Sequence, residues 1–125
     1  MALLQKRARR KASGGRYKSN LTKRLNNLGN LPRHTKIGEK VVRNIRVMGG
    51  HKKEYLLSDN IINVYDKKEK KYKKVKLLTV VKNPANRHFI RRNIITKGAI
   101  VKTEIGDVKI TSRPGQEGSL NGVLV

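Results

Sequence analysis

Cysteine and tryptophan are absent from this 125-residue chain, phenylalanine occurs once, and only eight residues are acidic against 31 lysines and arginines. Without cysteine there can be no disulfide, thiolate zinc site or thiol nucleophile, although the redox compartment stays open. With 4% aromatic residues, a platform stacking successive bases of a single strand is not expected, and any core must be built from Val, Ile and Leu. Long apolar runs are missing too. Ala2, Leu3 and Leu4 precede Lys6 without the length of a signal-peptide core, and no later run is long enough to span a membrane. A cytoplasmic location is therefore expected.

The shortage of acids also bears on catalysis, which needs a perturbed acid, base or nucleophile in a pocket. Glu39, Glu54, Asp59, Asp66, Glu69, Glu104, Asp107 and Glu117 lie mostly in or beside predicted turns. Glu104 and Asp107 are the one close pair outside the lysine-rich turn, and a hairpin tip accounts for them better than a carboxylate dyad. His34, His51 and His88 are far apart, each beside Lys or Arg, with no second ligand at metal spacing. Neither Gly14-Gly15 nor Gly49-Gly50 belongs to a phosphate-loop pattern. No enzyme, cofactor, metal or small-molecule substrate is expected.

What is present is positive charge. The formal net charge is +23, and repulsion on that scale opposes compaction until a polyanion screens it. The segment 6–36 holds eleven cations and no acid: Lys6, Arg7, Arg9, Arg10, Lys11, Arg16, Lys18, Lys23, Arg24, Arg33 and Lys36. It is too poor in apolar residues to fold by itself. Ser13-Gly14-Gly15 reads as a flexible joint. Leu21, Leu25 and Leu28 share the spacing of one helical face, with Ser19 or Asn20 as a possible cap and Gly29 as the stop. Three asparagines and short length limit that helix to one or two turns, and Leu31-Pro32 ends it.

From Gly38 the apolar period changes to two. Val41, Ile45 and Val47 define one strand face, and Gly49-Gly50 signals a hairpin whose return strand is about 53–57. Strands follow near 61–65 and 72–81 across the exposed turn 66–71. The second half of 72–81 is apolar on both faces, which predicts burial there. An irregular loop opens at Asn83-Pro84, and Ile94–Thr96 is either a brief strand or the loop's end. Residues 99–103 and 108–112 pair, Pro114-Gly115 suits a type II turn, and Asn121-Gly122 lies inside a last strand. The fold class expected is mainly β: a small antiparallel barrel of about six strands over residues 37–125, behind a long basic N-terminal arm, residues 1–36, with at most one short helix.

A second acid-free cationic cluster, Arg87, His88, Arg91, Arg92 and Lys97, falls in the irregular loop. Arginine's planar fork matches phosphate oxygens, so a phosphate clamp is expected there, with Arg113 adding a contact. His34 is read as a polar RNA contact or a solvated side chain, and Tyr17 either stacks on an unpaired base or packs on the domain. An RNA-cutting enzyme lacks its acid cluster, and membrane binding lacks an amphipathic apolar face. A free nucleic-acid-packaging or RNA-chaperone protein would share the same composition.

Several stretches carry a resemblance. Lys6–Gly15, Leu28-Gly29, Thr35–Gly38, Ile45–Lys53, Arg91–Ala99, Thr111–Gln116 and Val123–Val125 are similar, in collinear order, to the archaeal and eukaryotic small-subunit ribosomal protein family called eS-eight. The resemblance implies a β-barrel-like domain with an extended arm threading along 16S-type ribosomal RNA beside neighbouring small-subunit ribosomal proteins. The chain lacks the long central insertion of eukaryotic members and so looks archaeal. It departs from the pattern in the lysine-rich stretch 67–76 and at Gly122, where a small non-glycine residue is expected.

Overall fold

A computed structural model describes residues 2–3, 7–18 and 22–125, and the chain divides into two units, Met1–Pro32 and Arg33–Val125. The second is mainly β. Its strands are β1 (Val41–Arg46), β2 (Lys52–Ser58), β3 (Ile61–Asp66), β4 (Lys71–Lys82), β5 (Ile100–Thr103), β6 (Asp107–Ile110) and β7 (Asn121–Leu124), and its one α-helical turn is α1 (His88–Arg91). Strands β3 to β7 close a five-stranded barrel, while β1 and β2 form a separate hairpin.

Sequential barrel strands pair antiparallel, and β3 meets β7 in parallel register, Val64 opposite Gly122. That closure follows from the strand number. In an up-and-down meander of five, the first and last strands run the same way. Ile62 and Val64 of β3, Val75, Leu77 and Val80 of β4, Val101, Val108 and Ile110 point inside, with Leu56 of β2, Ile95, Ala99 and Leu120 completing the core. The core is aliphatic, as the shortage of aromatics requires.

Three local expectations are corrected. The second half of β4 is not buried on both faces: Leu78 points out by alternation from buried Leu77, and the register shift between Leu77 and Thr79 puts Val80 inside and Val81 outside, leaving Leu78 and Val81 each about half exposed. The apolar face Val41, Ile45 and Val47 stays out of the barrel, with Val41 exposed and Ile45 and Val47 only half-buried. The Pro114-Gly115 turn is not type II. Gly115 does not adopt positive φ, and the Arg113 carbonyl accepts N–H bonds from both Gln116 (2.8 Å) and Glu117 (2.9 Å), so an α-type i→i+4 bond joins the i→i+3 one. Of the two readings of 94–96 the loop's end is the one found: Ile94 and Ile95 are buried, Ile94 in an isolated bridge to Lys36 and the Ile95 N–H on the Thr35 carbonyl at 2.8 Å.

In the first unit the double glycine is a hairpin tip, where a flexible joint was expected. Gly14, at φ +83°, lets its N–H reach the Lys11 carbonyl (3.0 Å) while the Lys11 N–H bonds to Gly15 (2.8 Å). Arg10 pairs antiparallel with Arg16, and the Tyr17 N–H meets the Arg9 carbonyl at 3.0 Å. The leucine face gives only a 3-10 turn, Leu25–Asn27, with no side-chain cap. Leu25 and Leu28 are exposed, as the low propensity of Asn26 and Asn27 would lead to. Leu21 and its possible caps Ser19 and Asn20 lie outside the described residues.

Gly122 answers its own departure from the resemblance. A Cβ there would lie 2.5 Å from Val108 Cγ1 and 3.0 Å from both Ile62 Cδ1 and the Lys109 carbonyl oxygen. Those neighbours are barrel core and ladder, so they cannot swing aside. Gly122→Ala is expected to cost about 1–3 kcal/mol by overpacking, read as an earlier urea midpoint with unchanged slope; native-like stability would mean that β7 shifts freely.

Candidate nucleic-acid interface

The cations are distributed over both units. The first holds nine lysines and arginines and no acid; the second holds the other 22 with all eight acids. Among the described residues a single ion pair forms, Lys73 Nζ to Glu69 Oε2 at 2.7 Å. Both side chains are exposed, and the hydrogen bond that the Lys73 ammonium donates to Glu69 holds it above its ordinary pKa. No other cation among the described residues has a carboxylate within ion-pair distance.

In the first unit the hairpin gathers Arg7, Arg9, Arg10, Lys11, Arg16 and Tyr17. The Arg7 guanidinium carbon sits 3.9 Å from the Tyr17 ring centre, and Lys11 Nζ lies at 5.5 Å. Tyr17 is therefore occupied by cations of its own unit. Arg10 Nη1 donates to the Gly14 carbonyl at 2.9 Å, and Arg10 stands opposite Arg16. Like charges directly across a pair repel, so this hairpin favours an anion between them. Lys18, Lys23 and Arg24 are exposed outside it, and Lys6 lies outside the described residues.

In the second unit the loop between β4 and β5 is built on Asn83. That buried side chain donates Nδ2 to the Ile94 carbonyl (3.2 Å), while its Oδ1 accepts from the Ala85 N–H and Thr96 Oγ1, each at 3.0 Å. Asn86 Oδ1 accepts the His88 N–H (2.9 Å), starting α1. Asn93, at φ +47°, closes the loop by accepting the Val80 N–H at 3.4 Å; asparagine is among the few side chains that visit this region readily. Phe89 and Ile90 turn half inward, leaving Arg87, His88, Arg91 and Arg92 exposed. Helical spacing puts Arg87 beside Arg91, and His88 beside Arg91 and Arg92.

The remaining expected contacts fall on either side of this loop. His34 meets Phe89 edge-on, centroids 5.3 Å apart, and Lys36 is exposed while its backbone bridges Ile94. Thr35 between them is buried, its Oγ1 donating to the Leu56 carbonyl at 2.8 Å. Arg33 behaves differently. Its guanidinium carbon lies 3.5 Å from the Tyr55 ring centre and Nη1 donates to the Gly115 carbonyl at 2.9 Å, so much of that side chain is used to fix the 113–116 turn. Lys97 and Arg113 are exposed. Asn83, Phe89 and Tyr55 were not among the expected site residues; each acts by holding a cation's platform, through partners too far along the chain for spacing to reveal.

No three His, Cys, Asp or Glu side chains come together among the described residues, and no helix there is long and apolar enough to cross a membrane. The class these surfaces define is a small cationic β-barrel protein whose charge calls for an anionic partner. The family model described as Ribosomal protein S8e matches residues 4–125, and the chain belongs to that family, one of ribosomal structural proteins and not of enzymes. Among its relatives are proteins named small ribosomal subunit protein eS8. That of Picrophilus torridus is 46% identical over the full length of both chains. That of Methanosphaera stadtmanae is 50% identical over all of this chain and 99% of its own, and that of Nanoarchaeum equitans is 52% identical over 82% and 81%.

Proposed function

We propose that the chain is a structural constituent of the small ribosomal subunit, working in the ribosome in the cytoplasm. In this reading it binds and stabilises 16S-type ribosomal RNA beside neighbouring small-subunit proteins. The basic first segment and the barrel loops neutralise phosphates of converging RNA segments. Arg9, Arg10, Lys11 and Arg16 act from the first segment, and Arg87, His88, Arg91, Arg92, Lys97 and Arg113 from the barrel. The observation that carries this is the imbalance of charge within a ribosomal family: 31 cations, eight acids, and one ion pair among the described residues. Phosphate contacts of this kind position RNA more than they read its sequence.

The first test is co-sedimentation with small ribosomal subunits after a high-salt wash; a chain that washes free is not a constituent. The second is Arg91→Ala with Arg92→Ala. Both side chains are exposed, so melting should be unchanged, while the log–log salt slope for binding a small-subunit rRNA fragment should fall by about 2. A large loss of thermal stability would instead make both arginines structural.

A further inference from the structure

We propose that the β3–β4 hairpin is a second RNA-binding pole of the barrel, engaging a stretch of ribosomal RNA separate from the one held at the α1 loop. This rests on the rRNA-binding reading above and extends it to a segment that reading leaves unassigned. Residues 67–76 hold seven lysines and one acid. The nearby carboxylates are already engaged. Asp66 Oδ1 accepts the N–H of Lys68 (2.9 Å) and Glu69 (3.5 Å), and Glu69 pairs with Lys73. The other six lysines have no ion-pair partner among the described residues.

The alternation of β4 then sorts these side chains. Val75 and Leu77 enter the core, so Tyr72, Lys74 and Lys76 share the outer face, all exposed. Successive outward positions are roughly 7 Å apart, comparable with the separation of neighbouring phosphates along a nucleic-acid strand. Tyr72 heads the row. It is 78% exposed, directly opposite Tyr65 in the ladder, with ring centroids 4.9 Å apart. The pair with Tyr65 stabilises the ladder, and with 78% of Tyr72 exposed the ring still offers a surface on which a base or ribose can stack. An acidic protein segment would meet the lysines without needing the ring, so RNA is the occupant the geometry favours.

Two further facts fit. Lys70 sits at the hairpin tip with φ +53°, a left-handed conformation that glycine would adopt without strain. Strain retained at one position points to a use for its side chain. The hairpin and the α1 loop also leave β4 from opposite ends. Its twelve residues amount to roughly 35 Å of strand, too far for one phosphate cluster to serve both.

The test uses the full chain and a small-subunit rRNA fragment, titrated between 50 and 200 mM salt. Replacing Lys67, Lys70, Lys71 and Lys74 together by alanine should leave melting unchanged and reduce the affinity lost over that range by roughly 50–150-fold. Tyr72→Ala should weaken binding with the slope intact, and Tyr72→Phe should restore it. Lys70→Gly should melt higher and bind less tightly. Ultraviolet crosslinks from Tyr72 and from the α1 loop should map to different RNA segments. Native-like slopes in the lysine variant overturn the second pole, as does normal RNA binding with defective subunit incorporation, which would assign the hairpin to a protein neighbour. If the unaltered chain fails to bind the fragment, the functional reading falls with it; if it binds through Arg91 and Arg92 alone, only the second pole falls.

Discussion

Asn83→Ala is expected to destabilise the second unit by about 3 kcal/mol and to weaken RNA binding at the same time. The side chain is 5% exposed and holds three partners: the Ile94 carbonyl, the Ala85 N–H and the Thr96 hydroxyl. Alanine leaves all three without it. An orphaned buried group costs about 1–3 kcal/mol, but Ala85 is exposed and Thr96 half-buried, so water recovers part of the loss there. The Ile94 carbonyl, beside a fully buried residue, carries most of the penalty. For a unit of this size the melting temperature should fall by on the order of 15 °C, and the Ala85 amide should exchange faster. Since α1 hangs on this loop, Arg87, Arg91 and Arg92 lose their fixed spacing, and affinity falls without any change in charge. The Arg91/Arg92 variant described above should lose binding alone. An Asn83→Ala protein that melts like the native one would remove Asn83 from this account.

The contrast between those variants marks what could be read from the chain and what could not. The cations were legible because acids are excluded around them over long stretches, a local signal. Strands β3, β4, β5 and β6 were legible because Val and Ile alternate with Lys, as in Val75, Lys76, Leu77. Which strands join the barrel was not, since the hairpin β1–β2 shows the same period and only tertiary packing leaves it outside. Leu25 and Leu28 matched a helical face, yet that period is weak evidence when asparagines fill the intervening positions. Roles within the site were the least legible. Arg33 and Gly115 meet across 82 positions, and nothing near Arg33 announces that it serves a turn. Asn83 looked like any residue before a proline.

Within the first unit, replacing Arg9, Arg10 and Lys11 by alanine is expected to lower the log–log salt slope for rRNA binding by about 2.1–2.7. Between 50 and 200 mM salt, the affinity lost should then be roughly 20–40-fold smaller than for the native chain. The hairpin geometry makes this more than a count of charges. Arg10 both donates to the Gly14 carbonyl and stands opposite Arg16, so its removal relieves a repulsion as well as deleting the phosphate contact proposed for it. Two further variants separate the contributions. Arg9→Lys with Arg10→Lys keeps the charge and should keep the slope, but it should bind less tightly because an ammonium lacks the planar fork. Gly14→Ala keeps every charge and strains a backbone at φ +83°, at about 1–2 kcal/mol; it should lower affinity at constant slope if the hairpin presents its cations as a shaped group. If Gly14→Ala binds like the native chain while the triple alanine flattens the slope, the segment acts as charge alone. An unchanged slope in the triple variant would take the segment out of RNA binding altogether and leave the contacts to the barrel.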